Sequence, residues 1–249
     1  MSKAPAVDYA ATILEALSCN DGLGITEISN LTGINKNAVS RILGALCGQG
    51  WIARRGDGYS LTLKPFRICS RALSRTSLYK ESGVFLARLW EKTGDSCFIG
   101  VKHGKNVLYI QHLDSTHDIV VAGRVGGEYP LHCSAPGKVL LAYSDEEEQR
   151  QYCESELKPR TSNTITDSKV FGEQISLIRE NGYAEDNEEG SYGIICLAAP
   201  IFDYKGSVIA STGISTATVY SDIKTFAEEK SEAVKTTAAQ ISAALGYTD

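Results

Sequence analysis

A chain of 249 residues, 43% hydrophobic and 22% charged, has enough material for two domains with separate cores and the balance of an ordinary globular protein. No apolar run approaches membrane-spanning length, and residues 1–17 lack the basic region, hydrophobic block and cleavage site of a secretory signal, so the expectation is a cytoplasmic protein with no membrane contact. Seven cysteines without paired spacing fit reduced thiols, and a net charge of −5 means that any affinity for nucleic acid has to come from a local patch.

Val7, Ala10, Ala11, Leu14 and Leu17 recur at helical spacing and predict a first helix over 7–17. Residues 26–50, TEISNLTGINKNAVSRILGALCGQG, then read as two short helices joined at Gly33, with Leu31, Ile34, Val39, Ile42, Leu43 and Leu46 turned inward. Asn35 stands where an N-cap belongs, and Gly48 and Gly50 stop the second helix. Its outward positions Lys36, Asn37, Ser40 and Arg41 are donors suited to phosphates and base edges, clustered in the part of a recognition helix that enters a major groove. Residues 51–61 follow as a hairpin tipped by Gly56-Asp57, carrying Arg54 and Arg55, so the module reads as a winged helix-turn-helix for double-stranded DNA. Between positions 36 and 75 there are eight basic side chains against one acid, Asp57, which leaves the rest of the chain acidic.

Pro65 opens a connector helix with Phe66, Ile68, Cys69 and Leu73 available for burial, and 84–92 predicts another helix rich in aromatic and leucine side chains. From Asp95 the period becomes alternating. Two strands surround a turn at 103–106, and 119–125 reads as a further strand. Helices are expected over 136–143, 145–153 and 170–181, strands over 192–203 and 206–215, and one long amphipathic helix over 222–245. The fold class is thus an N-terminal all-α-plus-wing module followed by an α/β domain, an antiparallel-leaning sheet flanked by helices.

Ser134 stands as an N-cap with Ala135, Pro136, Gly137 and Lys138 behind it, and such a helix start favours a carboxylate, with one donor fewer because Pro136 has no N–H. His132-Cys133 invites a thiol-nucleophile reading, but neighbours on an extended segment point to opposite sides. His103, His112, His117 and His132 show no metal-ligand spacing. No catalytic residue, metal or cofactor is expected, and Glu188 and Glu189 read as solvated or turn-capping.

Two stretches, YPLHCSAPGKVLLA at 129–142 and GYAEDNEEGSYGIICLAAPIFD at 182–203, resemble the paired signatures of the IclR family of bacterial transcriptional regulators. The similarity continues through VDYAATILEAL, GYSLTLKPFRICSRAL, the TITD at 164–167 and the closing QISAALG. It implies a winged helix-turn-helix over 1–63, a dimerising linker over 64–94, and a GAF-like or PAS-like effector domain over 95–249. It further implies homodimers or homotetramers on palindromic operators, repressing or activating under control of a small organic acid. Carried over by position, the effector lies against Ala135 and Pro136, and the family's acid, cysteine and strand serine fall on Asp186, Cys196 and Ser215. Gly213 takes a further polar position, and Val121, Tyr129 and Ile194 fall at the pocket wall. A different class of reading is a ligand sensor whose winged module contacts a protein; steep salt dependence separates the two.

Overall fold

The computed structural model describes residues 4–119 and 123–248, which form two compact units, residues 1–75 and 76–249. In the first, α1 (Pro5–Cys19), α2 (Ile25–Thr32) and α3 (Lys36–Gly48) precede a hairpin of β1 (Ile52–Arg55) and β2 (Gly58–Leu61), and α4 (Lys64–Leu73) closes the unit. Ile13, Leu17, Ile28, Ile34, Val39, Leu43, Leu46 and Ile52 make its core. The turn after α2 works as its residues dictate. Gly33 takes a left-handed φ of 70°, and the Asn35 side chain accepts from the N–H of Ala38 at 3.0 Å, capping α3. Leu31, expected inside, is 61% exposed and Val7 of the first helix 66% exposed, while the residues that α1 and α2 bury are Ile13, Leu17 and Ile28. The wing is fastened to the loop before α2 by Tyr59 N–H donating to Leu23 O at 2.9 Å.

The second unit begins with α5 (Ser77–Thr93), capped by Thr76 and starting seven residues before the expected helix. It continues through β3 (Ser96–His103), β4 (Asn106–Leu113), β5 (Glu128–Pro130), a 3-10 turn at Leu131–Cys133, α6 (Ala135–Ala142), α7 (Glu146–Cys153) and α8 (Ser168–Asn181). Then come β6 (Ala184–Asn187), β7 (Ile194–Phe202), β8 (Val208–Ala217) and α9 (Ile223–Ala244). The six strands form one fully antiparallel sheet in the order β5-β4-β3-β8-β7-β6. Cys196 and Ala198 of β7 share a core with α6 and α8, while the alternate residues, Leu197 and Ala199, face the side that α9 covers. Both faces being covered, β7 reads as a continuous apolar run. β6 pairs only with the first half of β7, and beyond it Pro200 has no N–H while that of Phe202 is taken by the Ser242 hydroxyl at 2.9 Å.

The stretch 64–94 is divided between the units. α4 has no buried residue, with Phe66 69% exposed and Ile68 43% exposed, whereas α5 buries Leu78, Ser82, Leu86 and Leu89 in the second unit. Ile119 and residues 123–125 are not in a strand; the rest of the strand expected over 119–125 lies outside the described residues.

Candidate functional site

On α3, Lys36, Asn37, Ser40 and Arg41 are all exposed and share one side of the helix, opposite the buried Val39, Leu43 and Leu46. Gly44 continues that polar face without a side chain and has open space around it, which leaves the helix surface smooth for close approach. At the wing tip Arg54 folds back, its Nε donating to Gly56 O at 3.1 Å, while Arg55 stands exposed beside it. Lys64 is committed elsewhere: its ammonium donates to Gln49 O beyond the end of α3 and lies 5.4 Å from the Trp51 ring centre.

A second site lies in the second unit. Tyr129, Ser134, Asp186, Ile194, Cys196 and Ser215, all expected there, line one cavity of about 40 Å³, room for about three waters. Strand pairing assembles it, since Asp186 is the register partner of Cys196, and Cys196 that of Ser215. Tyr109 and His112 complete the wall from β4. They were not legible as site residues because their strand reads as plain core. The Tyr109 ring stacks on Phe98 at 5.0 Å and meets Tyr129 at 5.4 Å. Burial holds the His112 imidazole below its ordinary pKa, against the pull of Asp114 at 3.4 Å from its Nδ1.

Asp186 is the one carboxylate of that lining. Its Oδ1 accepts from the N–H groups of Glu189 at 2.7 Å and Gly190 at 3.4 Å. Burial pushes its carboxyl up from 3.8 to about 6, against the pull of Lys138 and the two backbone donors, with Glu189 adding to the rise. Burial raises the Cys196 thiol well above its ordinary value, so Cys196 keeps its proton, whereas Asp186 holds its own only below about 6.

Behind the cavity, Lys138 of α6 is fully buried and pairs with Glu189 at 2.5 Å, assisted by Gln174 at 3.3 Å. This corrects the reading of Glu189 as solvated: two adjacent acids in a polar run look like surface, but the turn drives one inward. Glu188, by contrast, caps its turn, accepting from Gly193 N–H at 2.7 Å with a left-handed φ of 57°. The Glu189 Oε2 is buried without a hydrogen-bond partner among the described residues. Gly190 is required where it stands, because a Cβ there would lie 2.7 Å from Cys133 O.

Other expected residues are placed differently. Ser134 occupies the N-cap position of α6, but its hydroxyl donates to Pro130 O at 2.9 Å and caps nothing. Ala135 and Pro136 are packed in the fully buried α6 and do not line the cavity; Pro136 O instead accepts from Ser211 at 3.3 Å. Gly213 is a packing position, where a Cβ would stand 2.0 Å from Leu197 O. Val121 lies outside the described residues. His132 and Cys133 sit in a 3-10 turn rather than an extended segment, yet form no nucleophile pair. The imidazole bonds Tyr152 Oη at 3.2 Å and Lys158 O at 3.0 Å, and burial pushes the Cys133 thiol up to about 12.

Two outcomes follow from the buried charges. Lys138→Met leaves the Glu189 carboxylate unpaired in a dry site and should destabilise the second unit by about 3–5 kcal/mol, with Lys138→Met/Glu189→Leu recovering most of the loss, as read by denaturant unfolding. Because the folded Asp186 keeps its proton to about 6 and the unfolded chain releases it near 3.8, stability contributed by this group is lost as pH rises between those values, on the order of 3 kcal/mol in all. Asp186→Asn should remove that slope, so parallel melting profiles of wild type and variant from pH 4 to 7 would refute it.

The family models agree with this architecture. The IclR helix-turn-helix domain matches residues 6–56, and the bacterial transcriptional regulator IclR C-terminal domain matches residues 70–243. The HTH-type transcriptional regulator KdgR of Escherichia coli (strain K12) is 36% identical over 244 residues, 95% of this chain and 91% of that protein. The crystal structure of the Thermotoga maritima IclR aligns with a TM-score of 0.78 at 31% identity, covering 97% of this chain and 98% of that one. The C-terminal domain of E. coli KdgR aligns with a TM-score of 0.62 at 34% identity, over 69% of this chain and all of that domain. With matches running through both units, the chain belongs to the IclR family of bacterial transcriptional regulators, a family of DNA-binding regulators rather than enzymes.

Proposed function

We propose that this regulator grips a palindromic operator as a homodimer or homotetramer and is controlled by a small organic acid held at the Asp186 cavity. On the DNA side, Lys36, Asn37, Ser40 and Arg41 face base edges and phosphates in the major groove, and Arg54 and Arg55 reach the backbone beside it. The exposed apolar face of α4, with Phe66 and Cys69, suits association with a second copy, which sets the spacing between two recognition helices. An effector that prefers one spacing over another by ~1 to 3 kcal/mol switches operator affinity.

The observation that carries the effector reading is the convergence of Asp186, Cys196 and Ser215 from three adjacent strands with Tyr129 and Ser134 on one small cavity. A thermal-shift screen of keto, hydroxy, aromatic and sugar acids tests it. A bound acid should raise the melting temperature with concentration, by about 2.7 kcal/mol of stabilisation at a hundredfold excess over Kd. Asp186→Ala should abolish the response, and an unchanged response in that variant would move the effector elsewhere.

Arg41→Ala should weaken operator binding by about 1–3 kcal/mol and leave effector binding intact. Equal affinity in a mobility-shift titration would remove Arg41 from the interface. A salt-insensitive complex would favour a protein partner for the winged unit instead.

A further inference from the structure

The inner cavity presents a puzzle of charge: its ionisable lining consists of Asp186, His112, Cys196 and phenols, with no lysine or arginine among the described residues to receive an acid. At about 40 Å³ it is also small for an extended ligand. Immediately outside it is a cleft of about 450 Å³, and the two share Gly123 and Tyr129 in their walls. This cleft holds two arginines from separate connections: Arg124 from the segment between β4 and β5, and Arg160 from that between α7 and α8.

Both guanidinium groups are available. Arg160 is fixed at the mouth of the inner cavity, its Nε donating to Gly190 O at 3.0 Å, while Gly190 N–H reaches Asp186. Neither arginine is ion-paired among the described residues. The cleft's single acid, Glu128, is already occupied, its two oxygens meeting His103 Nδ1 and Asn106 Nδ2 at 2.9 Å each. The surface therefore runs from an acceptor inside to unspent cations outside.

We propose that Arg124 and Arg160 form an anion subsite that holds the carboxylate of the effector, so that the opposite end of the molecule, bearing hydroxyl donors, enters the inner cavity and faces Asp186. A guanidinium fork matches a carboxylate with two parallel N–H···O bonds, and a buried carboxylate needs a donor, not a second anion. The class of ligand is thus an extended hydroxylated organic acid, oriented hydroxyl end first. This orientation rests on the effector reading above, and it reverses the arrangement expected from the sequence, where the start of α6 was to bind the carboxylate.

The experiment compares hydroxy acids of three to six carbons, glycerate to D-gluconate, with their neutral polyols, glycerol to D-glucitol, by calorimetric titration of the full chain. Wild type should bind at least one acid at least tenfold more tightly than its polyol. Arg124→Ala should weaken that preference while leaving polyol affinity and the ligand-free melting temperature unchanged, and Arg124→Ala/Arg160→Ala should erase it; Asp186→Asn should weaken acid and polyol together. An acid preference that survives in the double arginine variant but falls with Asp186→Asn overturns the subsite and leaves the effector cavity standing. Indifference to Asp186→Asn overturns both, as does a wild type that binds none of the acids while a keto or aromatic acid stabilises Asp186→Ala equally well.

Discussion

The buried pairing of Lys138 with Glu189 is the constraint on which the second unit turns. α6 is an eight-residue helix with every residue buried, so the ammonium of Lys138 has no route to water and must find its counter-charge inside. Glu189 supplies it, and the turn that carries Glu189 also carries Asp186 and Gly190. Holding the ion pair therefore sets the height of that turn above the sheet. Thr164 donates to Glu189 O and Thr161 to Glu188 O, both at 2.7 Å, so the segment before α8 is tied to the same point. The expense of burying two charges is offset only by this density of partners.

From that anchor the position of Asp186 follows without further design. Two backbone donors orient one of its oxygens, strand pairing sets it opposite Cys196, and desolvation keeps it reluctant to ionise. A carboxyl group held near neutrality in a cavity of phenols and hydroxyls discriminates by hydrogen-bond complementarity more than by charge. Under the proposed scheme, the charge that selects acids from neutral molecules belongs to the exposed arginines farther out.

Local chemistry made much of the fold legible in the sequence. Asn35 and Gly33 mark the turn before α3, the glycine-centred run at 103–106 marks the β3–β4 hairpin, and the spacing of three and four through 223–245 marks α9. The misses share a cause: long-range pairing overrides local appearance. β6, with the polar sequence AEDN, carries no periodic apolar signal and becomes a strand because β7 offers it an edge. Glu189 and Lys138 look like surface residues until their elements meet. Gly213, taken from the family pattern as a pocket position, is a close contact between neighbouring strands instead. The family signatures located the Asp186–Cys196–Ser215 row, but Tyr109, His112 and the two outer arginines required the folded chain.

The uneven length of the sheet's outer strands has a consequence for assembly. Where β6 ends, β7 runs on at the rim, an arrangement that ordinarily invites another chain to add itself as a strand. Here an incoming backbone would find no donor at Pro200 and would find that of Phe202 already engaged by the helix behind it. That rim is chemically blunted, and a protein with seven free thiols and many apolar strands is thereby spared one common route to runaway polymerisation.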